Sequence, residues 1–177
     1  MSNAKKPGEV EKTLGWDEGI RKIGELVKGI RICMLTTTAE DGGLHARPMA
    51  TQDKPFDGTL WFLTRDGSEK MDEIRDTSVV LLSYVDPGDS KYVALQGVAT
   101  VSKDRAKLKE LWNAMYKAWF PEGVDDPAIA VLRVDVTGGQ YWEANASKIV
   151  LGMKYLAAAM TGGAVSVGES GKVKLTA

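Results

Sequence analysis

The nine residues LHARPMATQ, positions 44–52, alternate without a break. Leu44, Ala46, Pro48 and Ala50 fall on one face; His45, Arg47, Met49 and Thr51 fall on the other. A period of two is strand periodicity. The preceding run RICMLTTT, Arg31 to Thr38, is apolar and β-branched. Glu40-Asp41-Gly42-Gly43 lies between the two runs as a turn cluster, so they predict a hairpin. Pro48 has no N–H to give a ladder and marks an edge or a bulge. Main chain at that point is free to meet a ligand instead of a neighbouring strand.

Outward from this hairpin the same punctuation recurs. Asp57-Gly58 opens a strand TLWFLT over 59–64, and Asp66-Gly67-Ser68 opens a short helix through Arg75 with Met71 and Ile74 inward. Ser78 to Val85 is a buried strand, Lys91 to Val101 alternates with Gly97 as a candidate bulge, and Ile129 to Thr137 closes the series before a Gly138-Gly139 break. Helical spacing appears at Trp16, Ile20, Ile23, Leu26, Val27 and Ile30. It returns at Leu108, Leu111, Trp112, Met115, Tyr116 and Trp119, read as one helix ending at Phe120-Pro121. Six strands, mostly joined as hairpins, predict a mainly β fold: an antiparallel β-barrel with peripheral helices. A parallel α/β sheet is the weaker rival, because the first three strands lack crossover helices.

The expected organisation is a polar leader over 1–15, a barrel domain over 16–143 and a C-terminal extension over 144–177. In the extension Lys148 to Met160 is a candidate helix, and the small, polar, glycine-rich run from Gly162 to Ala177 reads as a flexible tail.

Composition narrows the function classes. Lys plus Arg number 23 against 24 Asp plus Glu, a net charge of −1, which argues against a coat for nucleic acid or an anionic membrane. One cysteine, Cys33, cannot form an internal disulfide, and with one histidine, His45, the usual zinc sites are out of reach, so no metal is expected. These counts, with no apolar signal-like run near Met1 to Lys12, suit a cytoplasmic protein. No Ser or Cys nucleophile has an evident His and third partner.

What remains is a phosphate grip. Arg47 on one strand, Thr64 at the end of the next, and Ser68 and Lys70 at a helix start supply two cations, two hydroxyls and helix N-terminal amides. Each has a plainer reading. Arg47 can be a rim charge paired with a carboxylate, Ser68 an N-cap, and Lys70 a solvated helix residue. Trp112, Tyr116 and Trp119 can be packing, His45 a rim residue, and Cys33 an inert packed thiol. Five Trp residues also suit a buried interface.

In order and spacing, HARPM at 45–49, LWFLT at 60–64, GSEK at 67–70, the glycine of LQGVATV at 95–101, WFPEG at 119–123 and YWE at 141–143 resemble one family. It is the FMN-binding split-barrel family, whose best-known members are pyridoxamine 5'-phosphate oxidases; within it the chain looks most like the general stress protein 26 branch. The resemblance implies an FMN-binding split barrel of six strands. Arg47 and Lys70 would hold the FMN phosphate, Ser68 would add a hydroxyl, and Pro48, Met49, Leu63 and Thr64 would lie beside the ribityl chain and ring. It also implies a homodimer with FMN at the subunit interface, where Trp142, and with it Trp119, would come from the second subunit to cover the flavin. The implied activity is that of an oxidoreductase with a small-molecule redox partner; the alternative is a non-catalytic flavin-binding or flavin-storage stress protein. A deazaflavin or haem in the same groove stays open. One feature departs from the oxidases, which carry a basic C-terminal segment with Arg and His. Here the chain after Trp142 has Lys148, Lys154, Lys172 and Lys174 but no Arg or His, which weighs against pyridoxamine phosphate as substrate.

Overall fold

A computed structural model describes residues 12–144 and 169–175. Its elements run β1 (Lys12–Leu14), α1 (Trp16–Val27), β2 (Ile32–Thr38), β3 (Leu44–Ala50), β4 (Thr59–Arg65), α2 (Glu69–Asp76), β5 (Val79–Asp86), β6 (Lys91–Ser102), α3 (Arg105–Leu111), a 3₁₀ turn (Ala114–Ala118), β7 (Ile129–Glu143) and β8 (Glu169–Lys174). The main path is β1-β8-β7-β6-β5-β2-β3, and β4 pairs with β7 off that path. Every pairing is antiparallel except β1 with β8.

This connectivity makes a barrel that is split. Among the described residues β3 pairs only with β2 and β4 only with β7, so these two strands leave unpaired edges on either side of an opening. Pro48 therefore sits on an edge strand, where its missing N–H costs nothing.

Alternating burial packs the interior. Leu35, Phe62, Leu82, Leu95, Leu132 and Tyr141 form its centre, and α1 closes it with Ile23 and Leu26. Each such side chain contributes about 1.5–3 kcal/mol relative to exposure. A second, smaller cluster gathers Leu63, Leu108, Leu111, Tyr116, Phe120 and Val131 on the outer side of β4 and β7, beneath α3.

The six expected strands all form, and two more join them. The pattern placed Lys12–Leu14 in a leader and residues 169–174 in a loose tail; instead β8 lies between β1 and β7, with Val173 and Leu175 buried. The candidate helix over Lys148 to Met160 lies outside the described residues. Gly138-Gly139 is not a break: β7 passes straight through it. A Cβ at Gly139 would stand 2.5 Å from the Ala94 carbonyl oxygen, so the absent side chain admits the neighbouring strand instead of turning the chain. The bulge expected at Gly97 is present, where the β6–β7 register slips between Gln96 and Gly97. The long helix expected through Trp119 is two pieces. Asn113 accepts from the Met115 N–H at 3.0 Å and starts the separate 3₁₀ turn. A short amide side chain competing for main-chain donors is a common way to interrupt a helix.

Candidate functional site

Three segments meet at one end of the opening: the inner face of β2 and β3, the end of β4, and the start of α2. Register puts Thr37 opposite His45 and Leu35 opposite Arg47, so Thr37, His45 and Arg47 share one face. Beyond β4, Gly67 adopts φ +69°, a left-handed turn residue that lets the chain double back into α2. Ser68 then occupies the N-cap position without capping: its hydroxyl donates to the Arg65 carbonyl at 2.9 Å and accepts from Lys70 Nζ at 3.1 Å. Lys70 is half-buried. Burial pushes its pKa down, the nearby Arg47 charge pushes the same way, and Glu73 opposes both. Arg47 and Lys70, from a strand and a helix, thus lie within each other's field.

Arg47 does pair with a carboxylate, as its plain reading expects, and in a particular form. Arg47 Nη1 donates to Glu73 Oε2 at 2.9 Å and to the Thr37 hydroxyl at 2.7 Å. Thr37 passes its own hydrogen to Glu73 Oε2, and His45 Nδ1 meets Glu73 Oε1 at 2.6 Å. Glu73 went unremarked in the sequence, where it looks like one more carboxylate on a charged helix. Its only signal was its place beside the buried Met71 and Ile74. The Arg47 guanidinium, helped by the Thr37 and His45 hydrogen bonds, holds the Glu73 carboxyl down at about 2 against the effect of burial.

That shift has a sign and a window. A carboxyl whose folded pKa is depressed stabilises the fold above its ordinary value of 4.5 and loses the contribution as pH falls through about 2. The gap in urea midpoint between the wild type and Glu73→Gln is therefore expected to be fully open at pH 6 and to narrow steadily toward pH 2. A gap constant with pH would mean that Glu73 is not ionised in the fold.

The other expected site residues divide. Thr64 is buried, 4% exposed, and its hydroxyl has no hydrogen-bond partner among the described residues. Such an orphan is uncommon and suits an absent polar partner. Met49 is buried on the inner face, while Pro48 is exposed on the outer face of the edge strand. Leu63 turns its side chain into the second cluster, so only its main chain is open to a ligand. Trp119, 53% exposed, stands beside the end of β4, where Arg65 Nη2 donates to its carbonyl at 3.0 Å. Trp142, 44% exposed, lies on the outer face of the sheet opposite Tyr92, away from Arg47 within its own chain. Cys33 is buried, its thiol pushed up to about 12 by burial, and it is no nucleophile.

His45, Glu69 and Glu73 bring ligand atoms within 4.8 Å of one another. Glu73 is already engaged by Arg47, Thr37 and His45, and the Lys70 charge also lies close.

Edge strands flanking an opening, antiparallel ladders elsewhere and helices at the rim define a split barrel. The family model for pyridoxamine 5'-phosphate oxidase like proteins matches residues 18–166, and the chain belongs to that family. It is 24% identical over 146 residues to Protein bli-3 of Neurospora crassa, covering 77% of this chain and 70% of that one. Among solved structures it resembles the general stress FMN/FAD binding protein from Xanthomonas citri, at 29% identity and TM-score 0.64 over 73% of this chain and 92% of that one. It also shares its fold with a candidate general stress protein 26 from Jannaschia sp., at 23% identity and TM-score 0.71 over 87% and 96% of the two chains. No helix among the described residues is long and apolar enough to cross a membrane.

Proposed function

We propose that this chain is an FMN-binding flavoprotein of the general stress type and a cytoplasmic oxidoreductase acting on a small molecule. The observation that carries the reading is that Arg47 of β3 bonds Glu73 at 2.9 Å, one helical turn beyond Lys70 on α2, which brings the strand cation and the helix cation to the same end of the open seam. The residues fit FMN. Two cations and the Ser68 hydroxyl suit a phosphate monoester, and the orphaned Thr64 hydroxyl suits a polar chain laid along β4. Met49 and the main chain of Leu63 would flank the same molecule. When bound, FMN supplies the redox chemistry; the protein binds it, orients it and keeps water away.

The assembly we propose is a homodimer. The outer residues of β2, β5 and β6 run Ile32, Met34, Thr36, Thr38; Val79, Leu81, Ser83, Val85; and Tyr92, Ala94, Gln96, Val98, Thr100, without one charge. In a chain with 27% charged residues, an open sheet face of that kind calls for a cover. A second copy supplies a matching apolar face and opposes no like charges. Trp142 lies at the margin of this face, paired with Tyr92, and would reach the flavin of the opposite subunit.

Titrating FMN into the apoprotein tests the reading. Stoichiometric quenching of flavin fluorescence with micromolar or tighter affinity is expected. No uptake at that concentration would refute it.

A further inference from the structure

Glu73 is 6% exposed yet carries a charge, which a protein interior tolerates only with full compensation. The compensation is a closed triangle. Arg47 Nη1 reaches both Glu73 Oε2, at 2.9 Å, and the Thr37 hydroxyl, at 2.7 Å, and that hydroxyl bonds the same carboxylate oxygen. An ionised carboxylate only accepts, so His45 holds its hydrogen on Nδ1 and donates it to Glu73 Oε1. Guanidinium is a rigid planar fork, so pinning one nitrogen at two points fixes the whole plane. Nη2 and Nε make no hydrogen bond among the described residues and remain for a ligand.

We propose that Glu73, acting with Thr37, is a positioning residue that presets Arg47 for a phosphate monoester, leaving the unused edge of the guanidinium for the anion. The proposal rests on the flavin reading above and assigns the residue that makes its phosphate site selective. Two effects of Glu73 oppose each other. Its negative charge repels a phosphate, and its grip spares the long Arg47 side chain from being ordered only when ligand arrives. Orientation prevails because the carboxylate lies against Arg47 and its charge is already met by the side of the guanidinium away from the ligand.

The test is the preference for FMN over riboflavin, measured by flavin fluorescence on the full chain. Riboflavin lacks the phosphate, so the ratio of the two dissociation constants separates the phosphate grip from ring packing and from general stability. Glu73→Ala is expected to lower that preference about tenfold, the lower end of what removing an outer-shell partner costs. Glu73→Gln, whose amide oxygen still accepts from Nη1, is expected to restore most of it. Thr37→Val, near in shape and lacking the hydroxyl, is expected to lower it severalfold and serves if Glu73→Ala does not fold. A fall in urea midpoint with the preference unchanged would reduce Glu73 to a structural role and overturn the proposal. Tighter FMN binding in Glu73→Ala would make it a competitor and overturn it equally. Lys70→Ala and Arg47→Lys identify the other failure: if neither changes the preference, the phosphate site itself is wrong and this inference falls with it.

Discussion

Replacing Arg47 and Lys70 together by Ala is expected to weaken FMN binding by about 10²–10⁴-fold while leaving riboflavin binding nearly intact. A hydrogen bond to a charged group is worth about 1.5–3 kcal/mol, so two such cations bound the joint loss at about 3–6 kcal/mol. At 1.4 kcal/mol per decade that is roughly two to four powers of ten. The two losses are not expected to add cleanly, because both cations serve one anion and lie within each other's field. The single variants are not equivalent. Lys70→Ala removes a half-buried ammonium bonded to Ser68 and leaves the Glu73 network standing. Arg47→Ala strands a buried carboxylate, a change that typically costs 3–5 kcal/mol of stability. The informative form of the experiment is thus Lys70→Ala beside a triple variant with Glu73→Gln added, each titrated with both flavins. FMN affinity within twofold of the wild type in both proteins would place the phosphate elsewhere.

The contrast between Arg47 and Glu73 shows how far sequence reasoning reaches. Arg47 was legible because strict alternation over 44–52 fixes its face, and Pro48 beside it marks an edge. Its pairing with Glu73 joins residues 26 apart across two elements, and no local pattern reports which of several helix carboxylates will turn inward. Thr64 was read as a polar group near the site, and the fold adds that it is buried without a partner. Leu63 was read to the same place, but the period of two sends its side chain to the opposite face, into the cluster under α3.

The strands show the same division between local and non-local information. Six of them announce themselves by alternation or by short apolar, β-branched runs between turn residues. β8 carries it too, with Gly171, Val173 and Leu175 inward against Ser170, Lys172 and Lys174 outward. Its glycine and small polar residues resemble a loop, and only the gap between β7 and β1 gives it partners. Gly138-Gly139 failed in the opposite sense. Glycine is a turn signal when nothing crowds it and a packing requirement when a neighbouring carbonyl approaches to 2.5 Å, and the approach is invisible from the sequence.

Placing a charge at the centre of the uncharged outer face is expected to separate the proposed dimer and to release flavin with it. Leu81→Glu is the chosen change. Leu81 lies in the middle of β5, flanked by Thr36 of β2 and Gln96 of β6, so in its own subunit the new carboxylate meets water and no like charge. Within a single subunit the substitution should therefore cost no more than about 0.5 kcal/mol, as surface substitutions usually do. In a dimer the same carboxylate is buried without a cation. A two-fold axis sets one such charge in each subunit's face. Burying an unpaired ion costs several kcal/mol, so two shift a dimer dissociation constant by at least about 10³-fold. Mass measured by light scattering should fall from two chains to one at micromolar protein. If Trp142 of one subunit covers the flavin of the other, FMN affinity should fall together with the mass, whereas Arg47→Lys should lower affinity with the mass unchanged. A Leu81→Glu protein that remains dimeric would clear this face of the interface. One that becomes monomeric yet binds FMN as before would show that each subunit holds its flavin alone.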